Sequence, residues 1–373
     1  MSRTATHLPT GPFKRTELGL IISLLFSPLA AWAAPHGGVV TSGSAIIEQA
    51  GSVTNINQST QKAAINWQGF GIQAGETVNF NQPNASAITL NRVIGNERSV
   101  INGALNANGQ VFLINSAGVL FGKGSSVNVG GLVASTRDIS DADFNAGHFV
   151  FKGDGNGSVI NMGTITAKDG GYVALLGNSV SNQGVIAATK GTVAMSAGNR
   201  ITLNFNGDSL LNVTLDEGTL AALVENKQAI HADGGTVLLT AKAADELLGA
   251  QVNNSGIVRA RTLDDLTGKI ELYAHGGTAR VDGTLDASAP AAGDGGFIET
   301  SGDRVKIADS AQILTKSASG KNGKWLVDPT DFTIAASGGD TSGAFLSNYL
   351  NTQGDYEVQS SAGSKSGSGD IHV

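Results

Sequence analysis

The chain has no cysteine, 7 prolines and 5% aromatic residues in a length of 373. Without cysteine there is no disulfide framework and no thiolate metal site, so stability must come from the fold itself. So little proline excludes a proline-rich linker or a collagen-like chain. So few aromatics leave Val, Leu, Ile and Ala to build the core, which suits narrow stacked layers better than a bulky centre. Charge is scarce as well: 15% charged residues and a net charge of −7 provide no basic face, so nucleic acid is not an expected partner. The six histidines show no paired metal spacing, and no glycine-rich stretch is followed by the Lys-Ser/Thr of a phosphate loop. Neither a metal nor another cofactor is expected.

What the chain does have is glycine, 51 residues, alongside 40% hydrophobic residues. That is too apolar for a disordered tail, and it puts the glycines at turns inside a packed structure of many short strands. Near the N-terminus, Lys14 and Arg15 precede an apolar run from Leu18 to Leu29, and Ala31-Trp32-Ala33 ends it in small residues. These are the parts of a cleaved signal peptide covering residues 1–33; the run is short of the roughly 20 residues a membrane span needs. Nothing after Ala34 is long and apolar enough to span a bilayer.

One phrase recurs: Gly109-Val111-Leu113, Gly171-Val173-Leu175, Gly191-Val193-Met195, Gly235-Val237-Leu239, Gly268-Ile270-Leu272 and Gly296-Ile298-Thr300. Its alternation is that of a strand with one buried face. A second phrase, Asn161-Gly163-Ile165, Asn182-Gly184-Ile186 and Asn254-Gly256-Val258, reads as a corner in which Asn and Gly take up left-handed backbone. The spacing from Asn161 to Asn182 and from Gly171 to Gly191 is about 20 residues, the period of a β-solenoid. Stacked rungs about 4.8 Å apart would form a rod of roughly a dozen coils. A β-sandwich would need antiparallel hairpins, which this self-similarity does not suggest. Wider later spacings imply insertions. Asp216 to Gln228 is expected to hold a short helix, with Leu220, Leu223 and Val224 on one face and Thr219 as its cap; Leu247 and Leu248 after Asp245 suggest another.

The stretches "AAINWQGFGIQAGETVNFNQPNASAITLNRVIG", "LNANGQVFLINSAGVLFGKGSSVNVGGLVAST" and "GKWLVDPTDFTI", following a signal peptide, resemble the N-terminal domain of filamentous-haemagglutinin-type exoproteins of Gram-negative two-partner secretion. The resemblance covers nearly the whole mature chain. It implies an all-β fold, a right-handed parallel β-helix with an N-terminal cap and extra-helical strands, to which the wider spacings add the short helical insertions. It also implies recognition by the periplasmic domains of a dedicated outer-membrane transporter; for a surface factor, a host cell-surface glycan or protein is a further expected partner. The family's Asn-Pro-Asn motifs are altered here. Gln82, Pro83 and Asn84 give a partial first motif, while Asn115, Ser116, Ala117 and Gly118 stand where Asn-Pro-Asn-Gly is common. These seven residues are the candidates for transporter recognition or for turns that hold the cap.

The expected organisation is residues 1–33 as signal peptide, 34–136 as cap and first coils, 137–330 as β-helix with insertions, and 331–373 as the start of a further repeat region. Gly369-Asp370-Ile371-His372-Val373 repeats the strand phrase after a Ser/Gly-rich loop and shows no cap, so further rungs are expected beyond Val373. Polysaccharide-active enzymes also use β-helices, but they need clustered carboxylates. Asp264-Asp265 and Asp328-Pro329-Thr330-Asp331 are the nearest approach to a cluster, and the latter has a turn's composition. No catalytic residue is expected. The expected function is a secretion domain at the start of a surface adhesin or haemagglutinin. The alternatives are a polysaccharide-active enzyme and a haem-acquisition or contact-dependent toxin carrier.

Overall fold

The computed structural model describes residues 34–245, 248–361 and 367–373. The expected signal peptide and Leu247 lie outside these residues. The rest forms a parallel β-helix with three faces.

The first face stacks eleven strands in parallel: Lys62–Trp67, Ile88–Val93, Gln110–Ile114, Ser126–Ser135, Thr164–Gly177, Thr192–Ala197, Thr236–Lys242, Lys269–Val281, Phe297–Ile307, Lys324–Asp328 and Asp355–Val358. The recurring strand phrase lies here in register. Val111, Leu132, Val173, Val193, Val237, Ile270, Ile298 and Trp325 form one inward column, and Leu113, Ala134, Leu175, Met195, Leu239 and Leu272 form the next. Each aliphatic in these columns is out of water, which stabilises the stack by roughly 1.5–3 kcal/mol per side chain. The second face carries the inward column Val78, Leu105, Val127, Ile165, Ile186, Ile230, Val258, Leu285 and Ile313.

The third face departs from an aliphatic core. Asn161, Asn182, Asn226 and Asn254 stack on one another in the interior, between Phe121 and Val281. Each passes an amide hydrogen to the next at 2.8 Å. The corner glycines after them, Gly163, Gly184 and Gly256, do not have left-handed backbone, contrary to the sequence expectation. They are glycine because rungs approach too closely: a Cβ at Gly184 would overlap the carbonyl oxygen of Gly163.

The first strands close one end. Val39–Ser42 pairs antiparallel with Lys62–Trp67, and Ala45–Ala50 pairs antiparallel with Val53–Gln58, so Val40, Ala45 and Ile47 cover the first rung. At the other end the helix Gly343–Thr352 lies over the last second-face strand, Gln312–Leu314, where a further strand would stack. Leu346 and Tyr349 are buried there, and the Tyr349 hydroxyl meets Thr315 Oγ1 at 2.8 Å. This helix was not expected from the sequence. The closing Ile371–His372 pairs with Phe332–Thr333 rather than with Asp355–Val358, so it does not continue the first face as its phrase suggested.

The insertions also differ from expectation. Leu223–Asn226 is a strand with Val224 stacked between Val180 and Val252, not a helix, because the i, i+2 pattern serves the third face. Thr219 is buried and caps nothing helical, Leu220 is exposed, and Asp245 and Leu248 sit in a bend and a turn. The large insertion is the hairpin Arg200–Asn206 and Ser209–Glu217, which joins Val150–Lys152 in a three-stranded antiparallel sheet outside the helix. A short helix, Asp141–Ala146, capped by Ser140, lies beside it. Together they cover a second core that includes Leu90, Phe112, Val133, Ala174, Ala194 and Leu238, the outward side chains of the first face. Gln110–Ile114 and Thr192–Ala197 are therefore buried on both faces, where alternation suggested one. Arg137 ties the layers together: its guanidinium donates to the carbonyls of Gly155 at 2.6 Å and Gly198 at 2.8 Å.

Candidate functional site

The two altered motifs occupy different corners, and the structure does not bring them together. Gln82-Pro83-Asn84 turns the chain from the second face into the first. Gln82 is buried; the two hydrogens of its side-chain NH2 group are shared among the carbonyls of Ala87 and Gln110 and Thr89 Oγ1, all at 2.9–3.0 Å, and its Oε1 accepts from the Gly109 amide. It therefore pins one rung to the next. Pro83 and Asn84 are exposed, and Asn84 Oδ1 accepts from the Ser86 amide at 3.0 Å in an Asx turn.

Asn115-Ser116-Ala117-Gly118 turns the first face into the third. Asn115 is fully buried, donating to the Glu97 carbonyl at 2.9 Å and to Ser99 Oγ at 3.0 Å, while its Oδ1 accepts from the Ala117 amide. Gly118 has φ +118°, a conformation that disfavours any side chain. Ser116 faces solvent and Ala117 is half-buried. In both motifs one amide side chain holds the corner from inside, and one or two residues are presented outside.

The carboxylates are dispersed. Asp264 and Asp265 form a turn with φ +49° and +63°, and Asp264 pairs with Lys190 at 2.6 Å. Asp328 and Asp331 lie at the opposite end of the first face. Asp328 accepts from the amide and hydroxyl of Ser361, and Asp331 from the amides of Gly369 and Asp370. The hydrogen bonds of Asp331 hold its carboxyl below its usual range. These groups anchor loops and share no cleft. Among the described residues no three His, Asp or Glu side chains converge as a metal site, and no helix is long and apolar enough to cross a membrane.

A concave feature that sequence reading missed lies on the outer side of the second face beside the first motif. It is a trough of about 450 Å³ walled by Asn79, Asn106 and Asn128 on one side and Asn81 and Asn108 on the other. Asn108 links it to the motif: its Oδ1 accepts from the Gln82 amide and its Nδ2 donates to the Gln82 carbonyl, both at 2.7 Å. The recurring asparagines of residues 79–108 were a signal, but they are indistinguishable from turn residues without the register.

The model of the TPS secretion domain family matches residues 31–287. The heme/hemopexin-binding protein of Haemophilus influenzae strain Rd is 33% identical over 297 residues, 77% of this chain and 32% of that protein. A second H. influenzae protein of the same name is 33% identical over 243 residues, 59% of this chain and 26% of its own length. The chain thus spans less than a third of the curated relatives it matches. The crystal structure of the HMW1 secretion domain from H. influenzae superimposes with a TM-score of 0.69 at 28% identity, covering 91% of this chain and 84% of that one.

Proposed function

The chain belongs to the TPS secretion domain family, the export domain of two-partner-secretion exoproteins, and from that premise we propose how its own residues serve export. The observation that carries the reading is the family match over residues 31–287. Membership implies a cognate outer-membrane transporter in a Gram-negative bacterium. In the proposed sequence, residues 1–33 direct the chain to the periplasm and are removed after Ala33. The transporter's periplasmic domains then recognise the region 34–136, and the chain folds at the cell surface as the start of an adhesin or haemagglutinin that meets a host glycan or protein. Residues 137–330 extend the β-helix, and 331–373 begin a further region.

The two corners divide the labour. Gln82, Asn115 and Gly118 hold the backbone from inside, while Pro83, Asn84, Ser116 and Ala117 offer the surface that the transporter reads. The closed N-terminal end supports rung-by-rung folding outward from the cap, since each rung is stabilised only by a neighbour already in place. Co-purification with the transporter's periplasmic domains tests the reading: the chain should be retained, and deletion of 34–136 should abolish retention and secretion. Retention that survives the deletion would sink it. The similarity to two heme/hemopexin-binding proteins favours a second reading, acquisition of haem or of a haem carrier. Pull-down of hemopexin by the exported protein would support that.

A further inference from the structure

We propose that the amide-walled trough on the second face binds a linear, uncharged glycan lying along the axis of the β-helix. This rests on the surface-exposed reading above, and the test below keeps export separate.

The walls are made by register. Asn79 donates to Asn55 Oδ1 at 3.0 Å, Asn106 to Asn79 at 3.1 Å and Asn128 to Asn106 at 3.4 Å, while Asn81 donates to Asn57 at 2.8 Å. A carboxamide has two N–H donors and two lone-pair directions, so the ladder consumes about half of each. The remainder gives an array of neutral donors and acceptors repeating with the rungs, about every 4.8 Å. Between the walls runs the backbone of Phe80, Ala107, Val129 and Ala167, whose side chains point inward and are buried. The far end is closed by a local insertion: Gly130 alone stands opposite residues 168–171, and the overhanging Lys168 donates to the Asn108 carbonyl at 3.1 Å.

Three properties select the occupant. Among the described residues lining the trough, Lys168 is the one charged side chain, and it stands at the closed far end bonded to the Asn108 carbonyl, so along its amide walls a ligand meets neutral groups alone. Sugar hydroxyls both donate and accept, as the unused halves of the amides do. The repeat also discriminates. A pyranose ring with its bridging oxygen advances close to one rung, whereas an extended polypeptide brings like-facing side chains round only every ~6.7 Å and drifts out of step.

The test titrates the full chain with β-1,4-linked tetramers of glucose, mannose and N-acetylglucosamine, in parallel with Asn128→Asp and Thr166→Trp. Asn128 is exposed, so its replacement exchanges a donor for a charge without disturbing the interior; Trp at 166 fills the trough. At least one tetramer should bind, and both variants should weaken it at least tenfold, with the unfolding midpoint and secretion unchanged. Should Thr166→Trp lower the midpoint, Asn128→Asp decides alone. Binding of no tetramer, or equal binding to wild type and Asn128→Asp, overturns the proposal. Loss of retention by the transporter's periplasmic domains in Asn128→Asp also overturns it, by assigning the trough to a polypeptide.

Discussion

Asn182 donates its side-chain amide to the side-chain oxygen of Asn226 at 2.8 Å, both fully buried, although 44 residues separate them in the chain. The hairpin Arg200–Asn206 and Ser209–Glu217 accounts for much of that separation and leaves the rung register untouched. Asn182 also accepts from Asn161 and donates to the Ala229 carbonyl at 3.2 Å. Asn182→Ala would strand polar groups on both neighbouring rungs, each costing about 1–3 kcal/mol. Urea unfolding should show a loss of that order, whereas Asn128→Ala on the exposed ladder should change stability by at most about 0.5 kcal/mol.

Glycine serves two distinct purposes here, and substitution separates them. Gly191 has ordinary backbone, but an added Cβ would overlap the carbonyl oxygen of Gly171; Gly170 has φ +76° with nothing within 4 Å of an added Cβ. Gly170→Ala should cost about 1–2 kcal/mol from the left-handed conformation alone. Gly191→Ala should cost more, since two backbones must separate. Equal thermal midpoints for the two variants would contradict this.

Val193 and Thr192 test the double burial of the first face. Val193 points into the stack, so Val193→Asp should prevent folding or cost several kcal/mol by burying an unpaired charge. The adjacent Thr192, whose alternation points it outward, is covered by the extra-helical sheet, and its hydroxyl donates to the Leu210 carbonyl at 2.7 Å. Thr192→Ser should therefore be mild, while Thr192→Val should cost about 1–3 kcal/mol by orphaning that carbonyl. Circular dichroism melts of the three proteins distinguish the outcomes.

His275 stacks on Tyr273 with ring centroids 3.7 Å apart. Burial and then the nearby Lys242 lower its pKa from 6.5 to about 4. Between those values the unfolded chain binds the proton that the folded chain refuses, so this group's contribution to stability falls as pH drops from about 6.5 to about 4. Urea midpoints at pH 7 and pH 4.5 should show a smaller acid-induced drop in His275→Gln than in wild type.

The export reading predicts a split between the two halves of each corner. Asn115→Ala should lower stability by removing the bonds to Glu97 and Ser99. Asn84→Arg and Ser116→Arg, on exposed positions, should leave the melting temperature within error and reduce secretion. Secretion at wild-type level from both Arg variants would remove these corners from transporter recognition.

The period of the solenoid was legible in the sequence because its two causes are local. Aliphatics at alternate positions fill a narrow interior, and glycine marks corners that admit no Cβ. Val173, Val193, Val237, Ile270 and Ile298 could be aligned from the glycine-led phrase they share, and they form one column. Other elements depended on contacts far along the chain. Asn226 went unread because Gln228 stands where its counterparts have Gly163, Gly184 and Gly256, and only register reveals the buried amide ladder. Leu223 and Val224 fit a helical stripe as well as a strand, and the third face decided between them. The second core required the hairpin of residues 200–217 to fold back over Phe112 and Leu238, which no local pattern records. The seven corner residues were located through their resemblance to the family's Asn-Pro-Asn motifs. Which of them are buried braces and which face solvent was set by the rungs above and below, because a corner's environment belongs to its neighbours in the stack.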